Sequence, residues 1–515
     1  MKPFDLDGEF ASGASGSGAR LTRLAVRGAG MTVLSSGFSL AIQIVATVVL
    51  ARVLVPRDFG LVAMVTTFSL LLSNFGINGI TEAIVQQEKV DRFQSSNLFW
   101  MNLCVGMLLT CGFVATGSLL AKFYAEPLVA NVVHGIALSI GLTSVSVVHL
   151  ALLKRAMRFS ALAINDIVAK IISVAISIAL GCSGWGYWAL VAGVCALPLS
   201  TTIGAFVLCP WIPGRPRYAT ATGSMMKFAM LTYGRFSLNY FARNVDNLLV
   251  GWQFGAPALG FYKKAYDLFS LSASQLVSSI SVVAVSALSR ARNDTAQFRH
   301  YLLGAIAVMT FIGMWIAGDF TLIGKDLIRV LLGPGWDEAG NIFVWFAPGI
   351  GAMMLYGTHG WIHLSIGRAD RWLRWGLIEW AVTILLFVAA IHWGPRGIAA
   401  AWCVSFWVLT LPAIWFAGNP IGLGVRPVIS AVWRYVVASS IAGVVTFLAV
   451  LHLAGSLLAD GVSQAILRIA LVSISFSIFY IAAVVALHGG LEPILRLVRL
   501  LRIMVSNAER ERVTT

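Results

Sequence analysis

Five cations, Lys170, Arg235, Arg243, Lys263 and Lys264, lie inside apolar stretches long enough to cross a bilayer, and they are the residues whose types and spacing could do chemistry. A cation at the bilayer centre is costly unless it faces protein or water, so each must serve packing or a ligand. At 100° per residue, Arg235, Asn239, Arg243 and Asp246 project at about 0°, 40°, 80° and 20°, one polar stripe on one helix face. Lys263 and Asp267 stand one turn apart, as do Asp166 and Lys170. For any single residue, an internal ion pair or a lysine snorkelling to the interface explains the charge as well as a ligand does. As a set, however, the cations exceed Asp166, Asp246 and Asp267, and four of the five gather at the start of the second half of the chain. That predicts a net-cationic cavity and an anionic cargo. Asp166, Asp246, Asp267 and Glu379 are the carboxylates that could couple movement of the cargo to a proton or sodium ion.

Other chemistries lack their residues. There is no phosphate-binding loop, no HExxH and no GxSxG, and the Gly-rich N-terminus follows no strand, so no catalytic group and no cofactor is expected. His359 and His363 share a helical face at i, i+4, but no third ligand stands near them; packing or cavity-lining histidines are the better reading, with no metal. The six cysteines (Cys104, Cys111, Cys182, Cys195, Cys209, Cys403) sit in or beside apolar segments without CxxC spacing and read as small packing residues.

These residues must be positioned by membrane helices. Of the 515 residues 58% are apolar and 11% charged, and the mean hydropathy is +0.84, which leaves too little polar surface for a water-soluble fold. Runs of membrane-spanning length recur near 30–53, 59–80, 95–121, 129–151, 161–182 and 185–208. They continue near 227–252, 259–286, 300–323, 340–366, 371–393 and 396–417, and end with a pair near 431–454 and 464–487. The expected fold is all-α, a polytopic membrane protein of about fourteen spans grouped six, six and two. The corresponding segments are a Gly/Ser-rich and basic N-terminus (1–29), an N-lobe (30–208), a cytoplasmic linker (209–226), a C-lobe (227–417), a helix pair (418–487) and a basic tail (488–515). The N-terminal stretch has no signal-peptide pattern, so the first helix is expected to stay in the membrane.

The excess of 37 Lys and Arg over 22 Asp and Glu would suggest nucleic acid in a soluble protein. Position says otherwise. With the N-terminus inside, 25 of the 37 fall in inner segments and 7 in outer loops, which puts both termini in the cytoplasm and leaves no nucleic-acid role. Arg20, Arg23 and Arg27 share a face, as do Arg496, Arg499 and Arg502, which suits helices lying on an anionic leaflet. An internal repeat links the two six-helix groups: Gly37-Phe-Ser-Leu40 matches Arg235-Phe-Ser-Leu238, Phe59-Gly60-Leu61 matches Leu259-Gly260-Phe261, and Phe68-Ser-Leu70 matches Phe269-Ser-Leu271. An even number of helices separates the copies, so they enter the membrane in the same direction as parallel repeats.

Four stretches resemble the polysaccharide transporter branch of the multidrug/oligosaccharidyl-lipid/polysaccharide flippase superfamily, of the colanic and teichuronic acid exporter type. They are Ala51-Arg-Val-Leu-Val-Pro-Arg-Asp-Phe-Gly-Leu61, Asn97-Leu-Phe-Trp100, Arg243-Asn-Val-Asp-Asn-Leu-Leu-Val-Gly251 and Leu259-Gly-Phe-Tyr-Lys-Lys-Ala-Tyr266. The resemblance implies two six-helix lobes in a V, a cationic lumen and two further helices able to hold a lipid tail. It also implies an inner-membrane flippase for a polyprenyl-pyrophosphate-linked oligosaccharide in exopolysaccharide biosynthesis, working beside a polymerase and export machinery. Arg235, Arg243, Lys170, Lys263 and Lys264 would then replace water around the pyrophosphate, while Asn239, Tyr240 and Tyr266 meet sugar hydroxyls. The alternatives are a multidrug/cation antiporter of the same superfamily, which needs a net-acidic cavity, and a membrane-embedded glycosyltransferase or polymerase, which needs large outer loops.

Overall fold

Hydrocarbon offers no partner for a free N–H or C=O, and a helix satisfies both within itself. The computed structural model follows this rule through the residues it describes, which are Phe4, 18–87, 90–216, 222–453, 461–492 and 495; none of them forms an extended strand. The rest of the Gly/Ser-rich stretch before Gly18, and the tail with Arg496, Arg499 and Arg502, lie outside the described residues. By packing, the chain forms two units, Met1–Lys263 and Lys264–Thr515.

The first unit contains α1 (Gly18–Val53) and α2 (Pro56–Phe75), which runs through a π-helical turn, Gly76–Ile80, into α3 (Thr81–Gln86). Then come α4 (Arg92–Ala115), α5 (Gly117–Phe123), α6 (Leu128–Arg155), α7 (Phe159–Cys182), α8 (Tyr187–Leu208) and α9 (Thr222–Ala242). The start of α10 (Val245–Arg290) completes it. α6 is central and packs on α2, α4 and α8, while α7 packs on α1 and α8. Small residues set these distances, because helices in lipid gain by close backbone approach rather than by expelling water. A Cβ on Gly106 of α4 would overlap Ser144 of α6, and one on Gly193 of α8 would overlap Ser177 of α7. Asn102 Nδ2 of α4 donates to Ser144 O of α6 at 2.7 Å.

The second unit takes the rest of α10 with α11 (Thr295–Leu332), α12 (Asp337–Phe346), α13 (Gly349–Tyr356), α14 (Thr358–Ser365) and α15 (Ala369–Ala390). It ends with α16 (Gly394–Gly418), α17 (Val425–Leu453) and α18 (Val462–His488). Here α11, 38 residues long, is central and contacts α12, α13, α17 and α18. An aromatic core joins Phe269, Phe346, Trp402 and Phe406, with Phe269 and Phe346 stacked at 4.9 Å.

Among the described residues ten helical segments are long and apolar enough to cross a membrane, or eleven with one bent pair, so the exact count of about fourteen is not confirmed. One of the ten holds two helices, and two other boundaries differ from those expected. α15 and α16 fall in a single 52-residue apolar segment although they are two helices packed on each other. The expected span 340–366 is bent by 53° where Pro348 and Gly349 interrupt it, since proline supplies no N–H to the preceding turn. The first helix starts at Gly18 rather than near residue 30, so Arg20, Arg23 and Arg27 prolong it.

At their N-terminal ends α2 and α10 cross backbone to backbone, within the first unit. A Cβ on Gly60 would overlap the Ala256 carbonyl, and a Cβ on Gly260 would overlap the Pro56 carbonyl. Each repeat glycine thus meets the residue four before its counterpart. Just before the crossing, Gly255 takes φ 78° and ψ −178°, a region closed to residues with a Cβ. Gly60→Ala and Gly260→Ala should each lower stability by about 1–3 kcal/mol, because backbone cannot swing aside as a side chain can. Gly112→Ala on α4, where a Cβ meets nothing within 4 Å, should be neutral. Thermal melting of the purified protein in detergent reads the difference, and equal melting of all three would contradict a rigid crossing.

Candidate functional site

The polar stripe expected on one helix face is broken. α9 ends at Ala242, and the amides of Arg243 and Asn244 turn back to Tyr240 O (3.2 Å) and Phe241 O (3.1 Å) before α10 starts at Val245. Asn244 causes this locally: its side-chain amide donates to Tyr240 O at 2.9 Å, and such short amides compete with the helix for its own carbonyls. Arg243 therefore lies in the turn between the two helices, and Asp246 in the first turn of α10. Arg235 and Asn239 lie on α9, and their side chains are outside the described residues.

Asp246 is fully buried, and its carboxylate accepts from the Tyr262 hydroxyl at 2.8 Å and from the Asn247 amide at 2.8 Å. Arg243 is exposed and makes no side-chain hydrogen bond or ion pair among the described residues. The alternative in which Arg243 is tied to Asp246 is thus not what the structure shows. Lys170 does pair with Asp166, at 2.6 Å, and also donates to Ser39 Oγ at 2.9 Å, so this trio ties α7 to α1. Lys263 and Lys264 are half-buried, flanked by the buried Tyr262 and Ala265, and both they and Asp267 have partners. Glu379 is half-buried on α15 in the second unit. The Tyr240 ring stands 5.8 Å from Phe236, and that of Tyr266 packs between Phe346 at 5.8 Å and Trp402 at 6.0 Å.

His359 and His363 are buried 6.0 Å apart, ring to ring, with His359 Nδ1 2.6 Å from Tyr356 O. Among the described residues no three His, Cys, Asp or Glu side chains are grouped to hold a metal. Several of the arginines read as topological also cap helices, since a cation suits the negative C-terminal end. Arg155 reaches Ile84 O at 2.8 Å at the end of α3, and Arg371 reaches Phe416 O at 2.6 Å near the end of α16.

Two residues escaped the sequence reading. Tyr262 is one, because a phenol sixteen residues from Asp246 gives no spacing signal until α10 bends at Gly255. Asp319 is the other: it lies 5% exposed within α11 and accepts from Ser473 Oγ of α18 at 3.1 Å. Its signal in the sequence is a lone carboxylate in the apolar run 302–324.

A family model described as "Polysaccharide biosynthesis protein" matches residues 49–341, more than half of the chain. The chain belongs to that family. Family relatives include the succinoglycan biosynthesis transport protein ExoT of Rhizobium meliloti, 22% identical over 69% of this chain and 72% of its own length. The teichuronic acid biosynthesis protein TuaB of Bacillus subtilis is 22% identical over 74% of this chain and 79% of its own. The fold is similar to that of the lipid II flippase MurJ in an inward closed conformation, with a TM-score of 0.71 at 15% identity, covering 87% of this chain and 97% of that one. It is also similar to an inward-facing multidrug resistance MATE family transporter of the MOP superfamily, with a TM-score of 0.58 at 12% identity, covering 74% and 94%. At 15% and 12% identity, these two solved structures show the fold alone.

Tyr262→Phe removes the hydroxyl that meets the buried Asp246 carboxylate. Losing a hydrogen bond to a charged group should cost about 1.5–3 kcal/mol of stability, read as earlier thermal unfolding in detergent. Melting like that of the parent protein would show that Asp246 does not depend on Tyr262.

Proposed function

We propose that the protein is a flippase that moves a polyprenyl-pyrophosphate-linked, anionic oligosaccharide repeat unit across the bacterial inner membrane for extracellular polysaccharide biosynthesis, without catalysing a covalent step. The relatives support the cargo class, since their names tie them to succinoglycan and teichuronic acid biosynthesis. The fold alone does not choose, because a multidrug transporter shares it. The observation that carries the reading is Arg243, a cation in the turn between α9 and α10, exposed and without a side-chain partner among the described residues. An arginine in that position is available to a phosphate, which its planar fork binds in bidentate fashion.

In this reading Lys263, Lys264 and Arg235 are the further cations assigned to the pyrophosphate, and Asn239, Tyr240 and Tyr266 are the groups assigned to sugar hydroxyls. Lys170 contributes less than its charge suggests, because Asp166 already neutralises it. Asp246 and Asp166 are both engaged with protein groups, which favours the membrane potential as the drive over coupling through these two, Asp267 or Glu379. An inside-negative potential favours outward movement of an anion by about 2.3 kcal/mol per charge per 100 mV, hence roughly 4.6 for two phosphate charges. Both termini face the cytoplasm in this reading, and a polymerase and export machinery on the far side consume the repeat unit.

Arg243→Ala should leave membrane abundance within a factor of two, since an exposed unpaired side chain contributes at most about 0.5 kcal/mol to stability. Polysaccharide output should fall at least tenfold, and further in Arg243→Glu, where a like charge meets the phosphate. Quantitative immunoblotting beside polysaccharide assay decides the matter, and normal output from both variants would end the binding role. An alkaline-phosphatase fusion after Val505 should be inactive; strong activity would place the C-terminus outside.

A further inference from the structure

α11 and α18 are joined along their length by a ladder of polar contacts, all within the second unit. Arg468 meets Asp326 at 2.7 Å and 3.0 Å, Ser473 Oγ donates to Asp319 at 3.1 Å, Trp315 Nε1 donates to Ser477 Oγ at 3.0 Å, and the Tyr480 hydroxyl donates to Phe311 O at 2.8 Å. The order is antiparallel, and every rung but one is closed. At Asp319, Oδ2 accepts from Ser473, whereas Oδ1 is buried and has no hydrogen-bond partner among the described residues.

No charged side chain touches Asp319 among the described residues. Of the charged groups on the surrounding elements, Arg434 of α17 lies over the Trp433 ring at 5.6 Å with its Nε buried and unpartnered among the described residues, and Lys325 of α11 is exposed; others have partners of their own. Asp326 and Arg468 are paired with each other two turns along the ladder, and Tyr435 of α17 and Tyr480 of α18 pack on Phe311. Tyr356 of α13 takes a hydrogen bond from Trp375, and Asp337 and Glu338 of α12 pair with Arg329 and Arg396. A sodium ion would need several more oxygens than the one Ser473 hydroxyl found at this carboxylate. A proton needs one lone pair, and Oδ1 offers it.

We infer that Asp319 is an exchangeable proton-binding site: the Oδ1 lone pair takes up a proton that arrives from the Asp326–Arg468 end of the ladder, and its occupancy governs how α18 and α17 sit on α11. A neutral acid fits this apolar setting. The ionised form leaves an uncompensated charge at membrane depth, so loss of the proton drives the ladder to admit water or to part. Proton binding stands apart from the proposed flippase role; only its coupling to cargo rests on that role.

Dicyclohexylcarbodiimide, which reacts with protonated carboxyls in apolar surroundings, tests the site on the purified full-length protein in nanodiscs. Mass spectrometry should find the adduct on Asp319, with a yield that falls roughly tenfold per pH unit above one midpoint, as for a single proton. Absent labelling, or labelling that ignores pH, overturns the inference, and so does protection by sodium but not choline chloride. In cells, Asp319→Asn fixes the neutral form and should cut polysaccharide output at least fivefold at unchanged protein abundance. Normal output from that variant overturns the coupling, whereas failure of the Arg243 variants to affect output bears on the flippase reading and leaves the labelling result standing.

Discussion

Everything in this protein follows from placing a polypeptide where water cannot reach its amides. Once each N–H and C=O must find a partner inside its own segment, the chain has no choice but helices, and their assembly can no longer draw on the hydrophobic effect. Close approach replaces it. Gly106 against Ser144 and Gly193 against Ser177 are contacts at which even a methyl group would intrude. Interhelical hydrogen bonds such as Asn102 to Ser144 then fix register between surfaces that would otherwise slide.

The same constraint sorts the charges. In an apolar setting a charged side chain needs a partner, a helix end or a ligand, and the structure shows the first two repeatedly. Lys170 has Asp166, Asp246 has Tyr262, and Arg155 and Arg371 have the carbonyl ends of helices. Against that background Arg243 is conspicuous for having neither among the described residues, and Asp319 for being half satisfied there.

Much of the architecture was legible beforehand because apolar length is a property of local sequence. The spans at 129–151, 161–182 and 185–208 agree with α6, α7 and α8 to within a few residues. Breaks were harder to see. The stripe from Arg235 to Asp246 assumed a continuous helix, and what ends α9 is one asparagine amide taking a carbonyl, an event that periodicity does not register. Spacing found the Asp166–Lys170 pair because both lie on one uninterrupted helix. It missed Tyr262 and Ser473, whose carboxylate partners are brought to them by a bend in one case and by another helix in the other.

The crossing of Gly60 and Gly260 has a mechanical meaning. Contacts between side chains are compliant, since rotamers can change and methyl groups can slide, but two backbones in contact have no such slack. The separation of α2 and α10 is therefore fixed by the contact radii of backbone atoms, which no change of rotamer can alter. Because the contact is reciprocal, with Gly60 against Ala256 and Gly260 against Pro56, whatever widens it at one glycine also widens it at the other.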